Sequence, residues 1–295
     1  MMTSLPRTAV WAGLDHLPMD AALEFVRRVE ALGYGAFWTR EGFGREPFPL
    51  LAAAARETER LVLGTGIANV YARDPMAARA AAATLEELAP DRFILGLGVS
   101  HAPWVEGVRG HEYRRPRGAL AGYLDALEAS EYRGPEPHGR PPVVLAALRR
   151  GLLELARDRT QGAFPYLTPV EGVRVAREIL DAAGGRPWLI VSLAVLPDAE
   201  AAAGREAARA YVANYLRLPA YVAALREHGF GDDDLGSPAS DRLVDALVAR
   251  GSRRDVLARA AEMADAGADQ VALVPLAPDG SVGSLAAVEA LAPPW

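Results

Sequence analysis

The stretch Phe93–His101, FILGLGVSH, ends an apolar run with two glycines two residues apart, then a serine and a histidine. Three chemistries use residues of these types. A dinucleotide-binding turn, G-x-G-x-x-G, requires glycine where this chain carries His101. A hydrolase nucleophile elbow, G-x-S-x-G, is missed by one methyl group at Ala102. Such an enzyme would pair Ser100 with a later histidine such as His228. The elbow must also turn straight into a helix, and Pro103, Gly107 and Gly110 argue against one. The third reading is a barrel strand that delivers Ser100 and His101 to the loop at its end.

Composition removes several classes of chemistry. The chain has 295 residues and no cysteine, which excludes thiol nucleophiles, thiolate zinc sites and iron–sulfur clusters. All 32 basic residues are arginine, so a lysine Schiff base is closed as well. A net charge of −6 argues against nucleic acid as a partner. No apolar run approaches a membrane span, and the first residues show no basic segment leading into a long apolar one. The resulting expectation is a cytoplasmic protein with no membrane partner. No histidine has metal-ligand company, so no metal is expected.

The elements that must position these residues alternate regularly. Strands are expected at Thr8–Leu14, Ala36–Glu41, Leu61–Asn69 and Phe93–Val99, then at Pro142–Leu148, Ala163–Leu167, Leu189–Leu196 and Gln270–Leu276. Helical patterns separate them, at Met19–Leu32, Pro47–Glu59 and from Pro75, capped by Asp74, to Leu88. The strands read as continuous apolar runs, as in a parallel sheet covered on both faces. Eight β/α units fit a (β/α)8 TIM barrel in one domain, 1–295, better than a doubly wound sheet. Two segments interrupt the rhythm: His101–Arg117, and Asp198–Ser240, with two short helices joined at Leu218-Pro219 and a loop at Gly231–Ser240. In a barrel, chemistry sits where strands end. That rule selects Asp15, His16, Glu41, Gly66–Asn69, Ser100, His101, Leu148–Gly151, Tyr166 and Thr168.

The motifs WAGLDHLP (11–18), ALGYGAFWTREGFGRE (31–46), LVLGTGIANVYARDP (61–75) and RFILGLGVSHAP (92–103), in this order and spacing, resemble the luciferase-like monooxygenase superfamily. YLDALE (123–128), VVLAAL (143–148) and SDRLVDALVARGS (240–252) extend the resemblance. The nearest branch is the coenzyme F420-dependent oxidoreductases of actinobacterial type. The resemblance implies a TIM barrel, a deazaflavin in its mouth, hydride transfer to or from a small organic substrate, and often a homodimer. It also implies a non-prolyl cis peptide at Gly66-Ile67, with Gly66, Ile67, Ala68 and Asn69 backing the ring and Asn69 bonding its edge. Gly96, Gly98, Val99 and Ser100 would bring backbone close to the cofactor. Glu41 and His101 are the candidate catalytic groups, Glu41 if burial raises its pKa.

The chain departs from the family pattern in three places. Glu41 is followed by Gly42 instead of histidine. Leu148, Arg149, Arg150 and Gly151 replace a Gly-Pro opening whose amides bind the cofactor phosphate. Gln161 replaces aspartate before Gly162. The two arginines can hold an anionic tail bidentately or block the amides by bulk. Arg109, Arg114, Arg115 and Arg117 form a basic run that would attract such a tail or simply solvate a loop. Three rival functions stand beside F420-dependent oxidoreduction: an FMN-dependent monooxygenase, a catalytically silent ligand-binding relative, and the Ser100 hydrolase.

Overall fold

The computed structural model describes residues 5–294 except 136, 138 and 199. Ten parallel strands form one sheet: β1 Thr8–Trp11, β2 Ala36–Thr39, β3 Val62–Thr65, β4 Ala68–Asn69, β5 Phe93–Gly98, β6 Val143–Leu145, β7 Gly162–Ala163, β8 Trp188–Pro197, β9 Val248–Gly251 and β10 Gln270–Pro275. Their order is β10-β1-β2-β3-β5-β6-β7-β8, and pairing of β8 with β10 closes an eight-stranded barrel. Helices run between successive strands of the barrel, β4 continuing directly from β3. The chain is a (β/α)8 barrel, as its alternation of apolar runs and helical patterns indicates.

Side chains alternate across the barrel wall with the period of two that a strand requires. Ala9, Trp11, Ala36, Trp38, Ile94, Val144, Ile190 and Ala272 fill the interior, while Val10, Phe37, Leu63, Phe93, Leu95 and Leu273 pack under the helices. The interior is built around large rings set against glycines. A Cβ on Gly64 would lie 2.3 Å from the Trp38 ring, and one on Gly162 would lie 2.3 Å from the Trp188 carbonyl. Trp38 Nε1 donates to Gln270 Oε1 (2.7 Å) and Gln270 Nε2 to the Pro6 carbonyl (2.6 Å), so these buried polar groups pair with one another and the backbone.

Several expected strands are shorter than their apolar runs. The run Leu61–Asn69 splits into β3 and β4, and of Ala163–Leu167 only Ala163 joins the sheet, paired with Gly162 in a two-residue strand, β7. Apolar residues past the last ladder bond leave the sheet to line the mouth of the barrel. A helix, Ala102–Gly107, does follow β5, against the sequence expectation. Pro103 falls in its first turn, where no intrahelical N–H is lost, and Gly107 is its last residue. The loop expected at Gly231–Ser240 contains one helical turn, Asp232–Leu235. β9 was not anticipated: it follows helix Asp241–Leu247 directly and pairs with the carboxyl end of β8. Within the long insertion, helices Ala201–Leu216 and Pro219–Glu227 meet at Leu218, as the sequence indicates.

Candidate active site

A cavity of about 990 Å3 opens at the carboxyl ends of the strands. Its floor is made where β3 breaks. The Gly66–Ile67 peptide is cis. Four hydrogen bonds hold this turn: Gly66 N donates to the Thr39 carbonyl (2.7 Å), Glu41 N to the Ile67 carbonyl (3.1 Å), Trp11 Nε1 to the Gly66 carbonyl (2.6 Å) and Asn69 N to Glu41 Oε2 (2.8 Å). Trp11 is therefore both a cavity wall and the anchor of the turn, a role sequence reading missed. Replacing Trp11 with phenylalanine leaves the Gly66 carbonyl without that donor. The unfolding free energy is expected to fall by about 1–2 kcal/mol, read by urea denaturation.

Glu41 is 7% exposed, and its carboxylate is held on both oxygens. Arg73 donates to Oε2 (2.7 Å) and Oε1 (2.8 Å), and Arg109 stands 3.8 Å away. The sequence reading needed a carboxyl freed by burial for acid–base work. In the fold two guanidiniums and an amide stand around its oxygens. Asn69 likewise spends its Oδ1 on the Tyr71 amide (3.0 Å), closing its own turn, although Asn69 lines the cavity.

The glycine pair of β5 serves a neighbouring strand. Gly96 and Gly98 occupy inward positions in line with Ile94. A Cβ on Gly96 would fall 1.9 Å from the Thr65 carbonyl oxygen, and one on Gly98 would fall 2.7 Å from Ile67 Cδ1. Thr65 Oγ1 bonds both the amide and the carbonyl of Gly96 (2.9 and 2.8 Å). The close approach these glycines permit is that of the cis turn, and neither Gly98 nor Ala68 lines the cavity. Ile67, Val99, Ser100 and His101 do. Ser100 has a positive φ of 57°, and among the described residues no side chain bonds its hydroxyl. His228 lies outside this cavity, beside Thr168 and Gly172, so it is not placed to act as base for Ser100.

His101 immediately precedes helix Ala102–Gly107, and its ring packs edge-on to Trp104 (5.1 Å between centroids) and against Tyr221 (5.3 Å). Burial among these rings pushes its pKa down to about 4. The imidazole is neutral at pH 7. Because the folded pKa lies below the unfolded 6.5, this group's stabilisation is whole above pH 6.5 and is lost as pH falls toward 4. About 3 kcal/mol is at stake. Urea denaturation at pH 4.5 and 7.5 is expected to show a smaller acid loss for His101→Asn than for the wild type.

At the other side of the mouth, Leu148, Arg149, Arg150 and Gly151 follow β6 and open helix Arg150–Arg159. Arg149 Nε donates to Glu227 Oε1 (2.6 Å), Arg150 reaches Glu154 (3.6 Å), and Arg117 Nε donates to the Gly151 carbonyl (3.0 Å). Arg115 and Arg117 of the basic run also line the cavity, whereas Arg114 pairs with Glu112 (3.3 Å) on the surface. The residues least legible in the sequence are Tyr211, Tyr215 and Tyr221, which the long insertion folds over the mouth beside Tyr166 and Trp104. Their i, i+4 spacing at 211 and 215 reads equally well as a helix face.

A closed parallel barrel with a ring-lined cavity at its carboxyl face is the TIM-barrel architecture, whose binding sites lie at that face. The match to the luciferase-like monooxygenase family spans residues 2–270, and the chain belongs to that family. The 5,10-methylenetetrahydromethanopterin reductase of Methanolobus tindarius is 25% identical over 302 residues, covering 88% of this chain and 92% of the relative. Among solved structures, an F420-dependent secondary alcohol dehydrogenase in complex with an F420–acetone adduct superposes with a TM-score of 0.77 at 14% identity, covering 97% of this chain and 96% of the other. The FMN complex of the oxygenating constituent of 3,6-diketocamphane monooxygenase from Pseudomonas putida gives 0.70 at 14% identity, with 91% of each chain covered. These last two likenesses concern the fold.

Proposed function

We propose that this protein is an F420-dependent oxidoreductase that moves hydride between the deazaflavin and a small, uncharged organic substrate. The observation that carries the reading is the ring-lined cavity at the carboxyl face, large enough for a tricyclic ring and its tail, with the Gly66–Ile67 turn as its floor. The residues present fit such a group. Ile67 offers an apolar face for a ring, and the first amides of helix Arg150–Arg159, with Arg115 and Arg117 close by, suit an anionic tail. Bound there, the cofactor supplies a two-electron hydride donor or acceptor.

The chain's own residues then divide the work. Trp11, Glu41 and Arg73 hold the turn in one position. His101, neutral at pH 7, offers a ring nitrogen for a hydrogen bond to the reacting substrate. The insertion helices Ala201–Leu216 and Pro219–Glu227 exclude water from that side. A carbonyl reduced in this site takes the hydride at carbon and a proton at oxygen, and the reverse reaction returns both. The action is taken to be that of a homodimer, which sedimentation would test.

Equilibrium titrations with oxidised F420 and with FMN, followed by cofactor fluorescence, test the reading. F420 is expected to bind at least tenfold more tightly than FMN, and Arg115→Ala/Arg117→Ala to weaken it. A preference for FMN would instead support oxygen-activating chemistry, the second reading, which the FMN-bound structural neighbour favours. Binding of neither would reject both.

A further inference from the structure

Thr168, which the sequence marks at the end of a strand, does not line the large cavity. Leu167 has a positive φ of 53°, a conformation uncommon outside glycine, and its amide donates to Ser192 Oγ (2.9 Å). The chain turns there, so Tyr166 borders the large cavity and Thr168 a second, smaller one. That chamber measures about 100 Å3, several times the ~30 Å3 that a water takes in the liquid. Leu148, Arg149, Arg150 and Glu227 border both spaces, while Thr168, Gly172 and His228 border only the small one.

Two polar groups meet in this chamber. A Cβ on Gly172 would lie 2.2 Å from Thr168 Oγ1 and 2.8 Å from His228 Nε2, so both atoms face one point above this glycine. Thr168 is 6% exposed, yet among the described residues no hydrogen bond reaches its hydroxyl or the His228 ring. A buried hydroxyl without a partner is costly, so it marks a place where a ligand or water belongs. Gly172 lies in the first turn of helix Val170–Asp181, where alanine would be the better helix former. The helix has no side-chain cap, and the amides of its first turn have no acceptor among the described residues.

Donors therefore converge on the chamber from a hydroxyl, an imidazole and a helix start. Burial pushes the pKa of His228 down against the pull of Glu227 and Glu171, so at pH 7 the ring is neutral and has one N–H to give. Glu171 is bonded to Arg174 (2.9 Å) and Glu227 to Arg149 (2.6 Å). Arg150, 3.6 Å from Glu154, is the loosely held charge on the wall.

We propose that this chamber binds a small oxyanion, a carboxylate or phosphate group, on Thr168, His228 and the first turn of helix Val170–Asp181. The anion accepts from the hydroxyl, the ring and the Gly172 amide, and the nearby arginines lower the cost of burying its charge. An oxyanion has lone pairs for all three donors, whereas a single carbonyl oxygen has two. The site is separate from the floor given to the cofactor ring and does not depend on the oxidoreductase reading.

Titration of the full-length protein with inorganic phosphate, acetate and acetamide at constant ionic strength tests it, followed by calorimetry and by the His228 ring resonances in NMR. Phosphate or acetate is expected to bind saturably and to shift those resonances, and acetamide to bind at least tenfold more weakly. Thr168→Val keeps the shape of the side chain and is expected to weaken the anion by about tenfold, the worth of one hydrogen bond to a charged group. Gly172→Ala sets a methyl between the two polar groups and is expected to abolish binding. If Gly172→Ala does not fold, Thr168→Val decides. No saturable binding of either anion overturns the proposal and leaves the chamber to water, and equal binding of acetamide overturns it as well. So does a loss in Arg115→Ala/Arg117→Ala that Thr168→Val does not share, because the anion then sits in the large cavity. Added F420 identifies the source. Displacement of phosphate by F420, with both weakened by Thr168→Val, makes the oxyanion part of the cofactor's tail, and joint binding makes it a free anion. Failure to bind F420 with phosphate binding intact would overturn the oxidoreductase reading and leave this site standing.

Discussion

Gly96→Ala is expected to lower the unfolding free energy by about 3 kcal/mol and to abolish ligand binding in the cavity. The new methyl would fall 1.9 Å from the carbonyl oxygen of Thr65. That oxygen cannot turn aside as the tip of a flexible side chain can, because it belongs to the backbone of β3 immediately before the cis turn. Moving it breaks the paired bonds between Thr65 Oγ1 and the Gly96 backbone (2.8 and 2.9 Å). It also shifts Gly66, and with it the carbonyl that Trp11 holds. Urea denaturation and cofactor titration read the two effects separately. Gly122→Ala is the control: it lies inside helix Pro116–Ala129 with nothing within 4 Å of the added carbon, and is expected to stabilise by about 0.5–1 kcal/mol. Equal behaviour of the two variants would mean that β5 carries its glycines for some reason other than this contact.

The second large effect is expected at Glu41. Glu41→Gln leaves the Arg73 guanidinium, 12% exposed, without its bidentate partner, and removes the counter-charge nearest Arg109. Breaking one side of a buried pair costs about 3–5 kcal/mol. Arg73 keeps Glu46 at 2.7 Å, which places the expected loss at about 3 kcal/mol, the low end of that range. Glu41→Met/Arg73→Met is expected to be more stable than Glu41→Gln, because no buried charge is then left over. An acid–base role predicts a different pattern, with Glu41→Gln stable and its turnover lost. Denaturation and turnover of the single variant together decide between the two roles.

Both predictions concern residues the sequence marks, yet in neither case does the sequence state the partner. GLG in β5 and Glu41 at the end of β2 stand out by residue type and by position at the ends of apolar runs. What they touch depends on β3 breaking at Thr65 and on Arg73 arriving from the following loop, contacts between segments 31 and 32 residues apart in the chain. Ala68 shows the same limit: next to three residues that line or floor the cavity, it points into the core by the alternation of its short strand.

The barrel itself was determined by the sequence alone. Continuous apolar runs separated by capped amphipathic helices admit few arrangements other than a covered parallel sheet, because local periodicity and burial act within each element. The carboxyl-end loops followed from that architecture, and so did Glu41, Ser100, His101 and the Leu148–Gly151 turn among the residues that line the cavity. Only the tertiary structure decided the direction of each group there. It turned Glu41 toward Arg73 and set Gly96 against Thr65. It brought three tyrosines of a distant insertion to the cavity beside Tyr166. Such pairings are set by shape and unsatisfied polar atoms across long loops, and no pattern along the chain encodes them.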